Sequence, residues 1–495
     1  MLHLELSQER SYQQQIREKL IGLIQHDQFG QQPLPSSRKM AQLLGVSRNT
    51  VVLVYEGLVD DGYLVSRERS GFFVNDALRG EQRLTKVQSL PLRRGDEPNW
   101  CKRFQQLPSQ MPALDKDRNW MSYPYPFIYG QVDPEQFPLN AWRDCTRQAQ
   151  SRSMVREWVE DLVDADDPML VEQIRHQLLS KRGICAGPDE ILLTLGSQNA
   201  LYMLATLLAG DETLLGSEEP GYADVRNIFT QAGAKLRPLQ LDDEGVRTGA
   251  QLSGCDYLYV TPSHQYPTTV TMSLDRRKAL LQQAYDDDFI LIEDDYESEV
   301  NFLAAPQPAL KSLDQHGRVI YMSSLSKCLS PGLRLGYMVA DKALITQLRA
   351  LRRLIYRHPP LNNQRTTALF IAQGHYDCHI RSMRQLYQHK WKLMAEGLEA
   401  HLPQCHIKAT PGSFCFWIRL PESLCAVELS WQASELGILI EPGDPLFQVQ
   451  PAPAGYFRLG FAAIPIESIL PGLKHLGALI DRCYKAQTNQ CRLAS

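Results

Sequence analysis

A lysine set among hydroxyl groups directly after an apolar run differs from the usual lysine, a solvated surface charge. Here Val319-Ile320-Tyr321-Met322 leads into Ser323-Ser324-Leu325-Ser326-Lys327, and Arg334 follows within Pro331-Gly332-Leu333-Arg334-Leu335-Gly336-Tyr337. An amine so placed can form a Schiff base with an aldehyde, while Arg334 and the serines hold a phosphate. A second cluster, Glu293-Asp294-Asp295-Tyr296, closes the run Phe289-Ile290-Leu291-Ile292. Carboxylates at the end of an apolar strand are costly unless a cation or donor meets them. Extended backbone puts Asp294 and Tyr296 on one face and Glu293 and Asp295 on the other. An aspartate facing a pyridinium nitrogen and a tyrosine facing a phenolate oxygen suit pyridoxal 5'-phosphate. The carboxylate keeps the ring nitrogen protonated, so the ring can withdraw electrons. Two weaker signals accompany these clusters. Gly196-Ser197-Gln198 follows Ile191-Leu192-Leu193-Thr194-Leu195 and opens a helix whose N–H groups and dipole attract an anion. Glu218-Glu219-Pro220-Gly221-Tyr222 is a turn that presents an aromatic ring.

The elements that must position these groups are short apolar runs alternating with helical segments beyond Tyr123. With Tyr257-Leu258-Tyr259-Val260 the four runs read as buried strands of an α/β sheet, whose ligands lie beyond the strand carboxyl ends. A C-terminal part starts near Pro359-Pro360. It continues with a helix around Leu386 to Leu398 and strands at Phe414 to Ile418 and Tyr456 to Phe461.

The first 75 residues follow a different pattern. Ile16, Leu20, Leu23 and Ile24 give one helix an apolar face. Ser36 or Ser37 can cap a second helix with inner residues Met40, Leu43 and Leu44; Gly45 permits a sharp turn, and Ser47 caps a third. That third helix buries Val51, Val54, Tyr55 and Leu58 and leaves its first turn, Ser47-Arg48-Asn49-Thr50, polar. In a helix-turn-helix this turn enters the major groove. Tyr63-Leu64-Val65 and Phe72-Phe73-Val74 then read as a two-stranded wing around Arg67, Arg69 and Gly71, suited to a phosphate backbone.

A chain of 495 residues suggests two or three domains, and 43% hydrophobic with 22% charged residues is ordinary for a globular protein. No apolar run has the length of a membrane span, and the polar start does not read as a secretory signal. Eleven scattered cysteines without a C-x-x-C pair argue against a disulfide framework or metal site and point to reduced thiols in the cytoplasm. The net charge of -4 excludes a globally basic nucleic-acid binder, so any DNA contact must be local. Arg38, Lys39 and Arg48 supply that patch, with no acid between Pro35 and Tyr55. Residues 1–76 therefore form one domain. Residues 77–120, with Pro91, Pro98, Pro108, Pro112 and cations at Arg79, Arg83, Lys86, Arg93 and Arg94, form a linker. Residues 121–495 form the α/β domain, divided near 358/359.

Pro35-Ser36-Ser37-Arg38, Ser47-Arg48-Asn49-Thr50-Val51 and Ser70-Gly71-Phe72-Phe73-Val74 resemble the winged helix of GntR-superfamily regulators. The four strand ends resemble fold-type I pyridoxal-phosphate aminotransferases. Thr261-Pro262-Ser263-His264-Gln265-Tyr266-Pro267 narrows the resemblance to the MocR subfamily, in which the two are fused. The resemblance implies DNA contacts by Arg38, Ser47, Arg48, Thr50 and Gly71. It implies a Schiff base at Lys327, with Asp294 on the ring nitrogen, Tyr296 on the ring oxygen and Tyr222 stacked on the ring. Ser197, Gln198, Ser324, Ser326 and Arg334 would surround the phosphate. Arg458 matches the arginine that grips a substrate carboxylate in this fold, its fork suiting bidentate contact; a structural ion pair is the other reading. A head-to-tail homodimer is also implied, with each winged helix reaching across to its partner. Three departures stand out. Pro267-Thr268-Thr269 replaces Pro-Thr-Gly, and Ser323-Ser324 replaces a frequent Gly-Thr. Asp224 stands where a GABA-responsive member carries arginine, which argues against GABA.

Two functions follow from this reading. One is a transcription regulator that binds a double-stranded operator and senses an amine, an amino acid or pyridoxal phosphate itself. The other is a working aminotransferase with an appended DNA-binding domain. Arg38, Arg48 and the wing favour the regulator, since an enzyme has no use for them.

Overall fold

The computed structural model describes residues 10–68, 70–78, 98–114, 117–297, 299, 301–302, 307–325, 327–408 and 412–494. Arg69, Pro91, Ser326 and the linker cations Arg79, Arg83, Lys86, Arg93 and Arg94 lie outside the described residues. The chain divides into two compact units, residues 1–104 and 105–495.

In the first unit, helix α1 (Tyr12–Gln25) buries Ile16, Leu20 and Ile24. Helix α2 (Ser37–Leu44) starts at Ser36, whose hydroxyl accepts the Lys39 N–H at 3.3 Å, and stops at Gly45 with φ +65°. Only glycine adopts that φ without strain, so the turn is built into the chain. Helix α3 (Arg48–Asp60) is capped by Ser47, which accepts the Thr50 N–H at 3.1 Å, and buries Val51, Val54, Tyr55 and Leu58. Tyr55 also donates its hydroxyl to the Pro35 carbonyl at 2.9 Å, tying α3 to the segment before α2. Strands β1 (Leu64–Arg67) and β2 (Gly71–Val74) pair antiparallel with Leu64 opposite Val74. One expectation fails: Leu43 is 49% exposed, and the inner face of α2 is Met40 with Ala41. In so short a helix, packing against α3 covers only one side, which the half-buried Leu44 also joins.

In the second unit, strand β3 (Tyr125–Pro126) pairs parallel with Ile438–Leu439, and the main sheet has the strands, in chain order, β4 (Ile191–Thr194), β5 (Leu214–Glu219), β6 (Lys235–Asp242), β7 (Gly245–Val246), β8 (Tyr257–Val260), β9 (Ile290–Asp294), β10 (Val319–Ser324) and β11 (Gly336–Val339). Their spatial order is β4-β11-β10-β9-β8-β5-β6-β7. The central pairs from β10 through β6 are parallel, while β11 runs antiparallel to both its neighbours. Parallel strands require helical crossovers, so both faces of the sheet's middle are covered and β4, β8, β9, β10 and β11 are almost wholly buried, whereas β6 toward the edge is largely polar and exposed. Ile292 packs in a cluster with Leu204, Phe229, Met322 and Leu348; Leu291 packs in another with Leu258, Leu280 and Phe289. A smaller antiparallel sheet follows, with order His406–Lys408, Cys415–Arg419, Tyr456–Gly460, Glu441–Pro442. The C-terminal helix expected around Leu386 is longer than the apolar spacing showed, spanning His375–His401.

Residues 106–114 of the sequence-predicted linker lie on this second unit. Gln106 donates to the Gln231 carbonyl at 3.1 Å, and Asn227 donates to the Pro112 carbonyl at 2.7 Å. Among the described residues no helix is long and apolar enough to cross a membrane.

Candidate functional site

The three acids at the end of β9 each have a separate destination. Glu293 accepts the N–H groups of Leu310 (2.8 Å) and Lys311 (2.9 Å) and faces Arg277. Asp295 receives Arg182 Nε at 2.7 Å, the Tyr321 hydroxyl at 2.8 Å and the Ser263 hydroxyl at 2.6 Å. Asp294 points the other way, accepting the Tyr259 hydroxyl at 2.9 Å and the Ser197 hydroxyl at 3.4 Å. Burial pushes its carboxyl up to about 7; Asp295 adds to the rise, while the Tyr259 and Ser197 hydrogen bonds and Lys327 oppose it. Alternation along the strand thus sorts two structural acids from one acid that faces a cavity.

That cavity has a volume of about 430 Å³. It brings together Ser197, Gln198, Tyr222, Asp294, Tyr296, Ser324, Lys327 and Arg334, the sequence-predicted site residues that lie in described positions of this domain apart from Arg458. Ser197 and Gln198 open the helix Ser197–Leu208, and Gly196 caps it with φ +93°. The Arg334 guanidinium closes over that turn: a Cβ at Gly196 would sit 3.3 Å from its Nη2, which donates to the Leu195 carbonyl at 2.6 Å. A helix start, two serines and an arginine are groups that can hold an anion such as a phosphate. On the opposite side the Lys327 Nζ lies 4.2 Å from the centroid of the Tyr129 ring. The Tyr296 hydroxyl donates to the His264 carbonyl at 2.8 Å, and the Tyr222 hydroxyl donates to Asp224 at 3.1 Å.

Arg458 does not line this cavity. It is fully buried, with Nε 3.1 Å and Nη2 3.0 Å from Glu441 Oε2, and Glu441 itself is 4% exposed. The rings of Tyr129 and Tyr266 cover the guanidinium at 4.2 and 4.7 Å. Arg458 thus takes part in an internal ion pair, the other of the two readings, while its Nη1 and Nη2 are buried without a hydrogen-bond partner among the described residues. The cause of the pair is strand pairing: Glu441 stands directly opposite Arg458 in the small sheet.

Several cavity residues gave no warning in sequence. Tyr129 hydrogen-bonds to Glu297, a buried acid whose carboxyl is raised by burial and drawn back by Tyr129, Lys327 and Arg458. Tyr259 lies inside an apolar run and was legible only as a strand residue. Tyr266 lies within the quoted motif Thr261 to Pro267 and Glu297 directly follows Tyr296, so their position was a signal, whereas Tyr129, Ala113 and Leu114 had none.

In the first unit, Arg38, Ser47, Arg48 and Gly71 are exposed and Thr50 is half-buried. Arg48 Nε donates to the Ser37 hydroxyl at 3.4 Å, so its stem is held against α2 at the start of α3. Neither α2 nor α3 has an acid in its first turn, which leaves the positive ends of both helix dipoles unopposed. Gly71 takes φ +101°, a turn conformation that favours glycine. Arg67, expected near a phosphate, is paired with Asp76 at 3.4 Å and lies 4.6 Å from the centre of the Phe73 ring.

Fold and site together define a winged helix-turn-helix regulator joined to an aminotransferase-like domain. Residues 12–74 match the gntR family of bacterial regulatory proteins, and residues 162–476 match the class I and II aminotransferases. The chain is 38% identical to the HTH-type transcriptional regulator TauR of Rhodobacter capsulatus, covering 90% of this chain and 91% of that one. It is 31% identical to the probable rhizopine catabolism regulatory protein MocR of Rhizobium meliloti, over 90% and 88%. An archaeal alanine:glyoxylate aminotransferase superposes with a TM-score of 0.68 at 25% identity, covering 72% of this chain and 90% of that one. The chain belongs to the MocR subfamily of GntR regulators. It is a DNA-binding transcription regulator whose larger part has the aminotransferase fold.

Proposed function

We propose that the cavity binds pyridoxal 5'-phosphate through Lys327 and that an amine entering it changes operator binding. The observation that carries this reading is Asp294. Its buried carboxyl is raised to about 7 and, among the described residues, forms no ion pair with a cationic partner; it shares a cavity with Lys327 and the start of a helix. A protonated ring nitrogen supplies that partner, so the residues present fit the group. When bound, the cofactor supplies an aldehyde that exchanges one amine for another reversibly.

The chain's own residues do the rest. Ser197, Gln198, Ser324, Ser326 and Arg334 hold the phosphate, Tyr222 covers the ring and Tyr296 supports the ring oxygen. Lys327 would hold the group through its side-chain amine. A change in Lys327 and the surrounding tyrosines acts on DNA affinity only if the effector favours one conformation energetically.

We further infer a head-to-tail homodimer working in the cytoplasm, with domain limits at 1–76, 77–120 and 121–495. Two winged helices per dimer would read two half-sites, through Arg38, Ser47, Arg48, Thr50 and Gly71. The test is operator binding by gel shift with and without an amine panel, in wild type and Lys327→Ala. The reading predicts an amine response in wild type only; an equal response in both proteins overturns it.

A further inference from the structure

Two aromatic rings stand between the open cavity and the buried guanidinium of Arg458. Tyr129 and Tyr266 line the cavity, whereas Arg458 does not. Its guanidinium lies 4.2 Å from the centre of the Tyr129 ring and 4.7 Å from that of Tyr266. Arg458 Nη1 and Nη2 are buried without a hydrogen-bond partner among the described residues. Buried donors left in this way are costly until an acceptor completes them. A planar guanidinium with unfilled donors suits an oxyanion. An acidic group entering through the cavity meets a ring before it meets those donors.

The two rings are held in different ways. Tyr266 is wedged edge-on against Tyr222, Tyr129 and Tyr296, with 5.4, 5.8 and 6.2 Å between ring centres. Moving it disturbs the whole cluster. Tyr129 has a pinned backbone: its N–H donates to Glu441 at 3.1 Å, the Phe127 N–H donates to the Leu439 carbonyl at 2.9 Å, and the Gly460 N–H donates to the Phe127 carbonyl at 3.1 Å. Gly460 packs so closely against Ile128 and Tyr129 that a Cβ has no room there. The Tyr129 side chain, by contrast, is fixed by contacts that can be exchanged. Its hydroxyl donates to Glu297, and the Lys327 Nζ lies 4.2 Å from its ring centre. Rotation of this one side chain about a fixed backbone uncovers Arg458.

We propose that Tyr129 is a specificity-determining residue: its ring must turn off Arg458 before an effector's acidic group binds there, so it sets the preference of the cavity between amino acids and simple amines. This rests on the cofactor reading above and specifies how that site selects its effector. A simple amine leaves the ring on Arg458 and its hydroxyl on Glu297. An amino acid gives up those contacts and fills the Nη donors instead. The balance between the two sets of contacts fixes which ligand is favoured.

The test uses the full-length holoprotein and a matched pair of ligands, L-norvaline and butylamine, which differ only in the carboxylate. Binding is read by calorimetry. A cation–π contact and a buried hydrogen bond to a carboxylate together oppose the turn, so removing both in Tyr129→Leu should raise the ratio of norvaline to butylamine affinity about tenfold or more. Tyr129→Phe keeps the ring and loses only the bond to Glu297, so it should raise the ratio by less. Because the ratio compares two ligands on one protein, a general loosening of the cavity does not imitate this result. With Arg458→Gln and Glu441→Gln introduced together, the pair is removed as a unit, and Tyr129→Leu should no longer change the ratio. A ratio that does not rise in Tyr129→Leu, absent norvaline binding included, overturns the proposal while leaving the cofactor reading standing. So does a rise that persists without Arg458. A protein that takes up no pyridoxal phosphate overturns both.

Discussion

Asp294→Asn isolates the charge that the cofactor reading assigns to the end of β9. The substitution preserves the side-chain outline and an oxygen able to accept from Tyr259 at 2.9 Å or Ser197 at 3.4 Å, but it removes the carboxylate. A hydrogen bond to a charged group in a buried site contributes about 1.5–3 kcal/mol, against about 1 kcal/mol for a neutral one. With Asp294 only 4% exposed, water cannot take over. The dissociation constant for pyridoxal phosphate at pH 8 should therefore rise about tenfold or more, as read by fluorescence titration of the cofactor-free protein. The same charge has a second consequence. Its folded-state value of about 7 lies above the ordinary 3.8, so the folded protein binds this proton more tightly than the unfolded chain. That contribution is fully present at low pH and is lost as pH rises through about 7. Asparagine carries no such loss, so the cofactor-free variant should gain stability relative to wild type between pH 5 and pH 8. Unchanged cofactor affinity, or a stability difference independent of pH, refutes the role given to Asp294.

Other expectations are briefer. Arg48→Ala and Arg38→Ala should each weaken operator binding by about 1–3 kcal/mol if they contact bases, measured by gel shift at fixed salt, with cofactor binding intact. Ser47→Ala removes the cap at the Thr50 N–H and should cost about 0.5–2 kcal/mol in unfolding of the DNA-reading unit, seen by thermal melting. Gly196→Ala forces a side chain into φ +93° with Arg334 at 3.3 Å, so phosphate-dependent cofactor affinity should fall; a full-affinity variant would show that this turn does not hold the phosphate.

Much of the site was legible because strand periodicity is local. Alternation alone separated Asp294 from Glu293 and Asp295, and the structure supplies each with a different partner. Caps were legible for the same reason: Ser36, Gly45 and Ser47 act within a few residues of themselves. Contacts made by strand pairing or by distant loops were not. Glu441 faces Arg458 across two strands, and Tyr129 reaches Lys327 from far up the chain, so neither partnership leaves a spacing to read. Leu43 misled because its helical spacing is correct but no neighbouring helix covers it. The aminotransferase fold itself was legible from four apolar runs and their polar ends. The Glu441–Arg458 pair appeared only once the small sheet was in place.

The central claim is that Lys327 is the attachment point in a pyridoxal-phosphate cavity. Borohydride reduction of the protein loaded with pyridoxal phosphate, followed by proteolysis and mass mapping, tests it directly. The account predicts one pyridoxyl label, on the peptide carrying Lys327, and none in Lys327→Ala. A label on another lysine, or no label in wild type, would contradict it.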